Sequence, residues 1–120
     1  MDSNFKLSFP AASDLKAAQF YFVTVQSSGK LALTGDGLRA DGILQDKPAA
    51  DGRAGSVVIA GRSRVVAGAG FLAGTPLAAD SAGKAVTATS AEYVNAFALQ
   101  TATQAGDIVE VNFVGAGGKA

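Results

Sequence analysis

The sequence predicts an all-β fold, a small barrel or sandwich of about ten short strands, and three observations carry that prediction. Apolar and polar residues alternate in short runs, and turns containing Gly separate those runs. Stretches of ten or more residues with a 3.6-residue apolar period are hard to find. The chain has 120 residues, enough for one domain and its core. Its 15 Gly against 3 Pro mark a turn-rich, small-residue chain.

Phe5, Leu7 and Phe9 alternate with Lys6 and Ser8, which is strand periodicity, and Pro10 closes that run. Ala11 to Ala18 reads as one helical turn or a loop, with Ser13 or Asp14 as cap. Gln19 to Gln26 is aromatic and β-branched, the clearest strand in the chain. Ser27-Ser28-Gly29 turns into a hairpin partner at Lys30 to Thr34, and Gly35-Asp36-Gly37 makes the next turn. A short strand at Gly42 to Asp46 precedes a polar loop, Lys47 to Gly55. Ser56 to Ala60 and Arg62 to Val66 read as one ribbon with a bulge or sharp bend at Gly61. Thr75 to Ala79, Lys84 to Thr89, Tyr93 to Gln100 and Ile108 to Val114 complete the set. The Ala-rich stretch Ser90 to Thr103 is the one rival for a helix, and the alternation Tyr93, Asn95, Phe97, Leu99 favours a strand. Residues 1–17 form an N-terminal arm or first strand, residues 18–114 the β domain, and Gly115 to Ala120 a flexible tail.

The two halves echo each other in order. Gly29-Lys30-Leu31-Ala32 matches Gly83-Lys84-Ala85-Val86, Leu44-Gln45 matches Leu99-Gln100, and Gly55 to Ile59 matches Gly106 to Val111. Two such units are too few for a solenoid but enough for a barrel or sandwich built from pseudo-repeated halves.

Ten Lys+Arg balance ten Asp+Glu, so no bulk attraction draws the chain to nucleic acid or to an anionic membrane. The chain has no His, Cys or Trp. That excludes His general bases, Cys nucleophiles, disulfides, and imidazole or thiolate metal sites. Met1-Asp2-Ser3-Asn4 does not open a signal peptide. The most apolar run, Ala67 to Ala79, is broken by Gly68, Gly70, Gly74 and Pro76 before it could span a bilayer.

Few motifs bear chemistry. Asp36, Asp41, Asp46 and Asp51 recur evenly, but three of them precede Gly, which is turn chemistry rather than a calcium loop. Asp46-Lys47 matches the dipeptide that carries the cofactor in lipoyl domains, although Pro48 directly after it departs from that pattern; the competing reading is an exposed loop lysine. Gly68-Ala69-Gly70 lacks the Gly-Lys-Ser/Thr of a phosphate loop. No Ser-based triad or elbow is present. Arg62 and Arg64, two apart on a strand, present two cations on one face, either to solvent or to an acidic partner. Phe5, Leu7 and Phe9 form an apolar strand face that completes the chain's own barrel or adds to a neighbour. No catalytic, cofactor-binding or metal-binding residue is assigned.

The ordered series Ala54 to Gly61, Arg64 to Gly68, Ala73 to Leu77, Asp80 to Val86, Ala98 to Ala102 and Ala105 to Val111 resembles the head-decoration, or capsid-cement, proteins of tailed bacteriophages. The likeness covers about residues 18 to 114, and Met1 to Lys16 matches less well. It implies a β-rich, non-enzymatic protein without cofactor, bound to the major capsid protein on the outer surface of an assembled head and made in the host cytoplasm. Such a protein is expected to self-associate, with a trimer favoured at threefold junctions, and to touch capsid or subunit through Phe5, Leu7, Phe9, Arg62 and Arg64. The alternatives are another virion part, a tail-tube or head-fibre base subunit, and a lipoyl-type carrier modified at Lys47.

Overall fold

The structure is a computed structural model that describes residues 4–48, 50–89 and 92–114. These hold nine strands and no helix: β1 (Asn4–Pro10), β2 (Phe22–Val25), β3 (Leu31–Leu33), β4 (Gly42–Leu44), β5 (Ala54–Val66), β6 (Pro76–Ala79), β7 (Ala85–Thr87), β8 (Ala96–Ala98) and β9 (Ile108–Phe113). All named pairings are antiparallel, in the order β3-β2-β4-β5-β9-β8-β6-β7, with β1 added on β5. Ala11 to Ala18 forms bends and turns; the C-terminal tail, Ser90 and residues 1–3 lie outside the described residues.

The long strand β5 organises the fold. Val57, Val58, Ile59, Val65 and Val66 give it high strand preference over 13 residues. Its first part pairs with β1, and its second part with β9. Gly61 sits between the two, opposite Asn4 on β1 and Phe113 on β9, at a φ of 96° that disfavours any residue with a side chain. The adjacent register shift leaves Ile59 as the extra residue, a bulge that bends one ribbon to serve two ladders.

The two halves, residues 4–59 and 60–113, repeat the same unit. β6, β7, β8 and β9 each begin 54 residues after β2, β3, β4 and β5. The connections repeat too. Ala11 bridges Leu31 as Ala67 bridges Ala85, and Gly52 donates to the Ala11 carbonyl as Gly106 does to that of Ala67, both at 2.8 Å. The segment before the repeat of β2 is two residues shorter: Leu15 corresponds to Phe71, but Phe20 to Gly74. This alignment corrects the sequence register at two places. Leu44 corresponds to Ala98, not Leu99, and Gly106 to Gly52, not Gly55. Strings of Ala, Val and Leu match themselves at neighbouring offsets, and only the ladders choose among them.

Two predicted strands are shorter than their composition suggests. β2 begins at Phe22 because Phe20 has φ 68° and so leaves the extended region; its N–H donates to Leu44 and its carbonyl accepts from Val66. The strand predicted over Tyr93 to Gln100 is confined to β8, since Asn95 turns its side chain into the body of the protein instead of alternating outward. Each half carries a core. Ala11, Leu15, Val23, Leu31, Leu44 and Val57 fill the first. Ala67, Phe71, Leu77, Ala98, Val109 and Val111 belong to the second, which Phe22 and Ile43 of the first half also enter; the Phe22 and Phe113 rings stand 6.3 Å apart.

Candidate functional site

The surface, not a cleft, carries the candidate residues. Along β1, Phe9 packs partly against the first core, while Phe5 is 73% and Leu7 50% exposed. Two large apolar groups next to each other on one strand face are more than scattered surface hydrophobics. Among the described residues β1 pairs only with β5, and its outer edge carries no named strand.

Arg62 and Arg64 both reach solvent, with Ser63 buried between them, because side chains alternate along β5. They border an open groove of about 530 Å³ that Lys6, Phe20 and Glu110 also line. Arg62 directs Nε and Nη2 at Oε1 of Glu110, which holds the guanidinium against β9. An exposed ion pair of this kind contributes about 0–1 kcal/mol, so its main effect is to orient Arg62 rather than to stabilise the fold. Among the described residues, three cations and one carboxylate line the groove, a set suited to an acidic partner surface. Lys6 and Phe20 were not among the residues singled out from the sequence. Phe20 had no signal there, since its left-handed backbone follows from contacts with Leu44 and Val66.

Three of the four evenly spaced aspartates bond to other segments of the chain. Asp41 accepts from the Val25 N–H at 2.8 Å and meets Arg39 at 3.1 Å; Asp46 accepts from the Ser56 N–H; Asp51 pairs with Lys30 at 2.7 Å. Gly37 and Gly52 take positive φ after Asp36 and Asp51, as turn chemistry requires. Asp41-Gly42 departs from that reading. Gly42 lies inside β4, where an added Cβ would stand 2.1 Å from Cγ1 of Val57, so close approach and not turning demands the glycine. Lys47 sits exposed in the loop between β4 and β5, not at a tight hairpin tip. Among the described residues, no group of three or more Asp or Glu could hold a metal ion.

Two carboxyls are held below their ordinary range. The Thr103 N–H, then the Thr103 hydroxyl, lowers Asp107; the Thr89 N–H and hydroxyl do the same for Glu92. Both tie down turns, and neither faces the groove.

The described residues thus present an exposed apolar strand face and a groove lined by basic residues. In comparison with known proteins, the model of a phage cement protein family matches residues 2–113. The chain belongs to that family. The match agrees with the resemblance carried by the ordered motifs and extends it over nearly all of the N-terminal segment. Membership gives the chain a structural role in a phage head. The fold is similar to that of the N base of the head fibre gp8.5 of bacteriophage phi29, with a TM-score of 0.70, 18% identity, and coverage of 91% of this chain and 92% of that one. No curated protein sequence matches the chain.

Proposed function

We propose that this chain decorates the outside of an assembled phage head and reinforces it by non-covalent contact. The observation that carries the reading is the family match over residues 2–113, on a body whose functional features are surfaces. Its partner is the major capsid protein, reached through the groove of Arg62 and Arg64, while Phe5, Leu7 and Phe9 on β1 meet a neighbouring copy; a trimer at local threefold junctions is the favoured arrangement. Synthesis takes place in the host cytoplasm. The work needs no catalytic residue, cofactor, nucleic acid or membrane. A binder that recognises only the finished shell stabilises it by mass action, and identical weak contacts on a symmetric lattice reinforce one another.

The test uses expanded capsids lacking this chain. Purified chain should co-sediment with them and raise the temperature at which they release DNA. Arg62→Glu with Arg64→Glu should abolish binding, and added salt should weaken the wild type. Capsids of unchanged heat resistance, with no chain bound, refute the proposal. A second reading, the base of a head fibre, is favoured by the fold likeness to the gp8.5 N base. A map of the particle separates the two: a fibre base carries further density above it, a cement protein does not.

A further inference from the structure

The internal repeat shows how one half of the molecule seals the other, and which surfaces are left unsealed. Within the chain, Phe22, Ala40 and Ile43 of the first half enter the same buried cluster as Val65, Ala79, Val111 and Phe113 of the second. Polar ties accompany this contact. Tyr93 N–H donates to Gly37, Gly37 N–H to Ala79, and the buried Asn95 side chain accepts from Ala40 N–H at 3.0 Å and donates to the Leu38 carbonyl at 3.1 Å.

Each side of this contact has a counterpart elsewhere on the molecule. The repeat relates the socket residues Val65, Ala79, Tyr93, Asn95, Val111 and Phe113 to Phe9, Val25, Arg39, Asp41, Val57 and Ile59. Those six residues line an open groove of about 470 Å³ on the first half. The inserted residues Phe22, Ala40 and Ile43 correspond to Pro76, Val94 and Phe97. Ile43 is fully buried, whereas Phe97 is 41% exposed. One socket is thus filled within the chain and its counterpart is open, and one plug is inserted while its counterpart faces solvent.

A third correspondence is independent of the groove. At the edge of the internal contact, Gln45 Nε2 donates to the buried Ser63 hydroxyl at 2.9 Å. Their counterparts are Leu99 and Leu7, 47% and 50% exposed. A polar pair joined within the chain corresponds to two apolar residues that stand uncovered on opposite halves.

We propose that copies of this chain join head to tail, the second half of one packing on the first half of the next as the first half packs on the second within the chain. Phe97 enters the groove of Phe9, Val25, Val57 and Ile59, and Leu99 covers Leu7. The join is heterologous, since plug and socket are different surfaces; it closes into a ring if the rotation per unit divides a full turn. The inference rests on the repeat and not on shell binding, and its test is made without capsids.

Light scattering on the eluting full-length chain reads the outcome. Wild type at about 100 µM, where even a Kd of about 10 µM leaves most copies joined, should exceed the mass of one chain. Phe97→Asp, and separately Leu7→Asp with the partly buried groove residue Ile59→Asp, should each elute as monomers. Mixed together, these two variants should form a dimer and nothing larger, because one retains an intact plug and the other an intact socket. The chain has no cysteine. Leu7→Cys and Leu99→Cys variants, mixed and treated with a short bis-maleimide, should therefore cross-link to each other and not to themselves. A monomeric wild type, or variants that fail both to pair and to cross-link when mixed, overturns the proposal and leaves shell binding untouched.

Discussion

Asn95 offers the most direct measure of how the halves are held together. It is fully buried, and its side chain spans the two halves: Oδ1 accepts from the Ala40 N–H at 3.0 Å, and Nδ2 donates to the Leu38 carbonyl at 3.1 Å. Asn95→Leu keeps the branched shape and removes both bonds. Losing the bond to the Leu38 carbonyl costs about 1 kcal/mol net, and the orphaned, buried Ala40 N–H about 1–3 kcal/mol, so the loss should be about 2–4 kcal/mol. For a chain of this length about 3–5 °C accompanies each kcal/mol, giving a drop in Tm of about 6–20 °C. Asn95→Asp retains the acceptor but loses the donor and buries a charge; it should be at least as damaging at neutral pH and recover partly as acid protonates it. Circular dichroism melts and urea titrations at one fixed chain concentration supply the numbers, with Asn112→Ala, exposed on β9, as the comparison. An Asn95→Leu variant within about 0.5 kcal/mol of wild type would refute the reasoning, since that is the range of an indifferent surface change.

Other expectations concern backbone and pH. Gly42→Ala places its methyl 2.1 Å from Val57 Cγ1 and 2.6 Å from the Val58 carbonyl oxygen, and should cost about 3 kcal/mol in urea unfolding. Gly74→Ala meets no atom within 4 Å but keeps φ at 86°, so it should cost about 1–2 kcal/mol from backbone strain alone; a neutral result would mean that the turn relaxes. Asp107 has its carboxyl lowered by Thr103, so its contribution is present above the unfolded value of about 3.9 and lost as pH falls through the lower folded one. Melts from neutral pH into acid should therefore show Asp107→Asn less stable than wild type at neutrality and the gap closing below about pH 4; a constant gap argues against the linkage.

Much of the fold was legible because its signals are local. Alternating runs and the Gly-containing turns between them placed β1, β3, β6, β7 and β9, and the isolated Gly61 marked the bend of β5. Gly29-Lys30 and Gly83-Lys84 announced the repeat at its true spacing, since both glycines hold φ near 83° and few other residues can. Elsewhere the register of the repeat was ambiguous, because small apolar residues substitute for one another without leaving a mark. Of the surface, Phe5, Leu7, Phe9, Arg62 and Arg64 stood out by spacing alone. Lys6 and Phe20 did not, because the groove they share with the arginines comes from strands distant in sequence.

Residue order along the chain determined the strand content, the turns, the absence of imidazole and thiol chemistry, and the existence of two similar halves. Tertiary structure alone decided which of two equivalent faces is sealed. Ile43 and Phe97 hold the same place in their halves, yet one is buried and the other meets water. Burial depends on what packs across a residue, and that is set by how one half docks on the other, a relation no local pattern encodes.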